Sequence, residues 1–132
     1  MFGKEERLCS KMLIDKLFVE GKSVSGFPVR AVFRLVPSDS MPDVAVLFGV
    51  PKRHLRHSVQ RNRVKRQLRE MYRASRESLK SIVAGTGQCL TIAFVFCDGH
   101  LWTTDLLSAR FDKLLVKLAG MVESEINQGE KC

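Results

Sequence analysis

Between residues 51 and 76 the chain carries ten Lys or Arg side chains (Lys52, Arg53, Arg56, Arg61, Arg63, Lys65, Arg66, Arg69, Arg73 and Arg76) against one acid, Glu70. The segment therefore bears +9 in a chain of net charge +8, so the remaining residues sum to about −1. Charge gathered in this way suits the release of counterions from phosphates, and the natural partner is a nucleic acid. Eight of the ten are arginine, whose planar fork can hydrogen-bond a phosphate at two points and stack on bases, whereas lysine acts as a point charge. Asn62, between two arginines, adds an amide that donates and accepts, suited to a base edge, a 2′-hydroxyl or a metal-bound water.

A helix must position these groups. At about 100° per residue, a helix over residues 58–79 gathers Val64, Leu68, Met71 and Tyr72 in one arc and spreads Asn62, Arg63, Lys65, Arg66, Arg69 and Arg73 around the rest. Arg61 shares the apolar arc but lies in the first turn. Most charge-rich helix faces are simply solvated, and those mix Glu with Lys at i,i+4 spacing. Here Arg61/Lys65, Lys65/Arg69 and Arg69/Arg73 set like charges at that spacing. Each pair costs a few tenths of a kcal/mol unless an anion sits beside it.

The rest of the chain supplies a scaffold. Residues 8–20 pair Leu13 with Leu17 and Ile14 with Phe18, and Gly21 follows, which predicts a short amphipathic helix. Residues 27–35 alternate, with Phe27, Val29, Ala31, Phe33 and Leu35 on one face and Arg30, Val32 and Arg34 on the other, the pattern of a half-buried strand. Breakers between Pro37 and Pro42 separate it from a second strand at 44–50, which predicts a hairpin or meander. A turn at Gly85, Thr86 and Gly87 precedes the apolar run 89–96, a strand covered on both faces. Leu106, Leu107, Phe111, Leu114, Leu115, Leu118, Val122 and Ile126 then recur at helical intervals over 104–127. Thr104 or Asp105 is the expected cap and residues 128–132 a frayed tail.

Composition narrows the class. A chain of 132 residues with 45% apolar content suits one compact domain with a modest core. No run of 18 apolar residues and no charged-then-apolar leader occurs, so neither a membrane span nor a signal peptide is expected, and the default location is cytoplasmic. Cys9, Cys89, Cys97 and Cys132 lack metal-ligand or disulfide spacing and read as reduced thiols, and His54, His57 and His100 as surface side chains. No carboxylate cluster or Cys/His constellation suited to hydrolysis is written in the chain, so neither catalytic nor metal-binding residues are expected.

The run Arg61-Asn62-Arg63-Val64-Lys65-Arg66-Gln67-Leu68-Arg69-Glu70, preceded by Val50-Pro51-Lys52-Arg53, resembles the signature of the protein subunit of bacterial ribonuclease P. Arg7-Leu8, Phe18 and Gly21 fit the same pattern, and the resemblance spans nearly the whole chain. Leu55 and Arg56 stand where that family often has a glycine, and Val-Pro-Lys-Arg replaces the commoner Val-Ser-Lys-Lys.

The resemblance implies a single α+β domain over residues 1–132, of order αβββαβα, with a mixed sheet and a left-handed βαβ crossover (ribosomal S5 domain 2-like), an exception to the right-handed rule. It implies that the protein is not the catalyst. The RNA subunit and its bound Mg²⁺ hydrolyse the phosphodiester that frees the 5′ leader of precursor tRNA, while the protein binds the RNA subunit and holds the single-stranded leader. By matching position, Arg61, Asn62, Lys65 and Arg69 belong at the leader cleft or its rim. Lys52, Arg53, Arg56, Arg63 and Arg66 face the RNA subunit, and Arg73 completes the RNA-binding set. Phe18, Arg30 and Val32 are candidates for leader contacts, because single-strand grooves pair basic side chains with apolar platforms. Phe18 and Val32 fit a core role as well. The implied partners are the RNA subunit and precursor tRNA, with no membrane and no DNA. The rival readings are a ribosomal or generic RNA-binding protein without a role in tRNA processing, and an autonomous protein nuclease.

Overall fold

The computed structural model describes residues 11–37, 44–83 and 88–130. The elements run in the order α1 (Lys11–Glu20), β1 (Lys22–Gly26), β2 (Val29–Pro37), β3 (Val44–Gly49), α2 (Ser58–Val83), β4 (Gln88–Phe96) and α3 (Thr104–Glu130). This is an α+β arrangement of four strands and three helices in the expected order. The Arg7-Leu8 pattern, the breakers at 38–42, the turn at 85–87, Cys9 and Cys132 lie outside the described residues.

The strands form one sheet in the order β1-β2-β4-β3. β4 takes a central place because nearly all its side chains are apolar and both its faces are covered. It runs antiparallel to β2, with Val32 opposite Ala93, and parallel to β3, with Val46 opposite Ile92. The expected hairpin between the strands at 27–35 and 44–50 is thus corrected: β4 separates them, and the parallel β3–β4 pair is joined through α2. The hairpin of this fold is instead β1–β2, with Val24 opposite Ala31. Residue patterning did not single out β1, in which Val24 alone is buried.

The pleat divides the core in two. On one face Ala31, Phe33, Val46, Ile92, Phe94 and Phe96 meet α2 and α3 in the main apolar cluster. Phe94 lies at its centre, 5.1 Å from the ring of Phe111 on α3 and 5.8 Å from Phe48, which itself meets Tyr72 of α2 edge-on at 5.9 Å. On the other face Leu17 of α1 packs with Val32, Val36, Ala45, Cys89 and Ala93, a smaller cluster of small side chains that lets the short helix approach closely. An ion pair from Arg34 to Glu20, at 2.9 Å, also holds α1 to β2. Lys22 of β1 pairs with Glu125 of α3.

Three boundaries differ from expectation for local reasons. Thr103, not Thr104 or Asp105, caps α3: its carbonyl accepts the first helical bond from Leu107 at 3.0 Å and its hydroxyl oxygen lies 3.5 Å from the Leu106 amide. Helix α3 continues to Glu130, through much of the stretch expected as a tail. Helix α2 runs on to Val83, because Leu79 and Val83 extend its buried stripe.

Candidate nucleic-acid interface

Helix α2 buries Val64, Leu68, Met71, Tyr72, Leu79 and Val83 and turns its charged face outward, as its periodicity required. Asn62, Arg63, Arg66, Arg69 and Arg73 are exposed and Lys65 is half-buried. Among the described residues, the side chains of Asn62, Arg63, Lys65, Arg66 and Arg69 make no hydrogen bond or ion pair. Arg73 lies 3.7 Å from Glu70, one turn back, and Arg76 lies 3.8 Å from Glu77. The N-terminal half of the helix therefore presents a row of donors that the fold itself leaves unengaged.

The turn before the helix extends this surface. Pro51 accepts backbone bonds from His54 at 3.1 Å and Leu55 at 3.3 Å, which closes a tight turn. Buried Leu55 anchors the turn in the core, and Lys52, Arg53 and Arg56 project from it, exposed. Arg61, expected at the leader cleft or its rim, has part of its guanidinium engaged within the fold. Its Nη1 donates to the carbonyl oxygens of Leu55 at 3.0 Å and Arg56 at 2.7 Å, so the guanidinium ties the turn to the first helical turn. The apolar arc that Arg61 shares points it back over the preceding residues.

The leader candidates separate sharply. Phe18 is 46% exposed, on the outer side of α1, because the helix docks through Leu17 instead. Val32 is 3% exposed, packed beneath α1, so it is a core residue rather than a presented platform. Arg30 is exposed on the same sheet face as Val32 and makes no ion pair among the described residues. Along its row Arg30 stands opposite Val95, and Val95 stands opposite Gly49 at the end of β3. Arg30 and Gly49 are thus two strand spacings apart, about 10 Å. A Cβ on Gly49 would meet nothing within 4 Å, so the sheet beyond α1 has an open end. The chain leaves that end through Val50 and Pro51 to reach Lys52 and Arg53, which sets the open floor beside the basic turn.

Residue patterning passed over other groups here. Gln67, half-buried within the basic helix, donates from Nε2 to the Trp102 carbonyl at 3.2 Å and to Thr104 Oγ1 at 3.1 Å, fixing α2 to the start of α3. Phe27, expected on the buried face of a strand, lies in the β1–β2 turn, 58% exposed and edge-on to Trp102 at 6.0 Å. Cys89 and Cys97 are free thiols. No helix is long and apolar enough to cross a membrane, and no group of three or more His, Cys, Asp or Glu is placed to hold a metal ion, among the described residues.

Comparison with known proteins places this geometry. A family model described as Ribonuclease P matches residues 2–97. The Ribonuclease P protein component of Porphyromonas gingivalis W83 is 33% identical over 128 residues, covering 97% of this chain and 93% of that protein. That of Chlorobium phaeobacteroides is 42% identical over 79 residues, 58% of this chain and 54% of its own. Among solved structures, the RNase P protein of Staphylococcus aureus superposes with a TM-score of 0.67 at 15% identity, covering 86% of this chain and 94% of that one. The Thermotoga maritima RNase P protein gives 0.53 at 21% identity, covering 90% and 96%. These two likenesses speak for the fold.

Proposed function

From the premise that this chain belongs to the bacterial ribonuclease P protein family, as a protein component of that ribonucleoprotein, we propose how its surface serves the assembly. It acts as one domain in the cytoplasm. The exposed donors of Lys52, Arg53, Arg56, Arg63 and Arg66 bind the RNA subunit. Asn62, Lys65 and Arg69, with Arg30 and Phe18 across the open end of the sheet, hold the single-stranded 5′ leader of precursor tRNA. Arg73 adds charge to the same face. The observation that carries this reading is the row of α2 donors left without partners by the fold, continued by the exposed Lys52 and Arg53 of the turn that leaves the open end of the sheet.

In this reading the hydrolysis belongs to the RNA subunit, where bound Mg²⁺ would supply Lewis-acid chemistry. The protein's part is electrostatic and positional. About nine excess positive charges reduce the repulsion between two polyanions, and a held leader fixes the scissile phosphate relative to the RNA.

The test is reconstitution. RNA-free protein should not cleave precursor tRNA, and adding it to a ribonuclease P RNA should lower the Mg²⁺ or monovalent salt needed for cleavage. Cleavage by the protein alone would point to an autonomous nuclease. Absence of any effect on the RNA would leave a generic RNA-binding protein.

A further inference from the structure

We propose that the groove between α2 and α3 is a pocket for an unstacked RNA base bearing an exocyclic amine, offered by the RNA that the basic helix binds. The inference rests on the ribonuclease P reading only for the identity of that RNA. The groove, of about 420 Å³, opens beside the charged face of α2, with Arg66 among its lining residues and Met71 and Ala74 contributing apolar surface. The groove is a cleft open to solvent, with room for one face of a small planar ligand to lie against it.

Two acceptors in its lining have the opposite character to the surface around it. The Trp102 carbonyl can only accept, so the Gln67 amide must turn Nε2 toward it, and Oε1 is left buried without a hydrogen-bond partner among the described residues. Buried acceptors without donors are rare and call for an explanation. The second acceptor is Glu70, the one acid of the 51–76 segment, which lines the same groove. At 3.7 Å from Arg73 its carboxylate makes only a loose ion pair and retains lone pairs for a closer donor. Thr104 Oγ1 accepts from Gln67, so its own proton is free to donate, and Ser108 adds a further hydroxyl.

Acceptors gathered in a groove, within a face of donors, sort the parts of a nucleotide. The phosphate is drawn to Arg66 and its neighbours and repelled by Glu70, while an exocyclic amine finds the carboxylate; a swing of the Gln67 amide that gives up its bonds to Trp102 and Thr104 would bring the unpaired Oε1 to the same donor. Carboxylates accept from the N4 amine of cytosine in this way. Uracil, of the same shape, presents a carbonyl oxygen at that position and would leave both acceptors unpaired. Discrimination then arises from the missing hydrogen bonds rather than from size.

The experiment uses the full chain and two fluorescent single-stranded probes, oligo(C) and oligo(U) of eight nucleotides, titrated at several salt concentrations. Oligo(C) should bind roughly three- to tenfold tighter, with the same salt slope for both, because the phosphate contacts are shared. Ala74→Leu places a larger side chain in the groove from an exposed, helix-favouring position and should erase the difference. Gln67→Met should reduce it, and thermal unfolding of both variants reports whether the fold persists. Equal affinities for the two probes, or a preference that survives Ala74→Leu, would overturn the proposal. Rescue of precursor tRNA cleavage by a ribonuclease P RNA is measured in parallel. Rescue without a C-over-U preference sinks the pocket alone, whereas a groove-dependent preference without rescue upholds the pocket and sinks the tRNA-processing role.

Discussion

The guanidinium of Arg61 donates from one nitrogen to two consecutive carbonyl oxygens, those of Leu55 and Arg56. A basic residue in an RNA-binding motif is thereby engaged in holding the motif's own entry turn. Arg61→Ala should lower stability by about 1–3 kcal/mol, the loss of charged hydrogen bonds, one of them partly buried. Arg61→Lys keeps the charge without the planar fork and should recover only part of that loss. Urea unfolding of the three proteins checks this, and a Lys variant as stable as the native protein would show that the fork is unimportant.

Arg63 and Arg66 stand exposed and unpaired on α2. Alanine at either position should leave stability within about 0.5 kcal/mol, as for surface sites generally. Assembly with the RNA subunit should weaken by about 1–3 kcal/mol, and the salt slope of binding should fall by about one unit for each phosphate that is no longer neutralised. Dissociation constants of the ribonucleoprotein at several salt concentrations measure both. Unchanged slopes would assign these arginines to solvent.

Phe18 and Val32 lie on opposite sides of the α1 packing surface, and their alanine variants should fail differently. Phe18→Ala should cost about 1–3 kcal/mol of affinity for precursor tRNA, leave mature tRNA binding unchanged and scarcely shift the melting temperature, since a stacking platform serves only a substrate with a leader. Val32→Ala should cost about 1–3 kcal/mol of folding stability instead, through the cavity it leaves beneath α1. Equal losses for both tRNAs with Phe18→Ala would defeat the leader assignment.

Gly21 donates its amide to the Leu17 carbonyl at 2.8 Å where α1 ends. A Cβ there would stand 2.3 Å from that same oxygen and 2.9 Å from the Phe33 carbonyl oxygen. Both are backbone atoms and neither can swing aside. Gly21→Ala should therefore destabilise by about 1–3 kcal/mol and displace Phe18 together with α1. Unfolding measured beside precursor tRNA affinity should show both losses together.

What the sequence made legible follows from the range of each signal. The buried stripe of α2, the two-sided burial of β4 and the periodicity of α3 are properties of one element at a time, and each could be read locally. Strand neighbours are not local. Consecutive strands often pair, which suggested a hairpin that β4 in fact interrupts; patterning gave six of the seven elements in order, and the family resemblance added the further strand before the basic helix. β1 escaped notice because a single valine among Lys22, Ser23, Ser25 and Gly26 makes no alternation. Phe18 and Val32, alike as candidates in the sequence, part in the fold for a related reason: a ten-residue helix docks through a narrow stripe of Leu17 and half-buried Ile14, and periodicity could not choose between the Leu17 and Phe18 faces. Arg61 and Gln67 were visible as motif residues, but what they bond to is decided by carbonyls elsewhere in the fold.

The strand order has a consequence for the making of the protein. β4 lies between β2 and β3, yet it is the last strand to leave the ribosome. A nascent chain that ends before residue 88 already contains the whole basic helix, the β1–β2 hairpin and β3, but its sheet has no centre and the apolar stripe of α2 lacks its partners on β4 and α3. At about 5–20 residues added per second, that interval lasts on the order of seconds, long compared with helix formation. The arginines are thus displayed to cellular RNA before the fold that orients them exists. An RNA that prefers the completed surface would stabilise the finished chain by mass action, and that stabilisation becomes available only once β4 has entered the sheet.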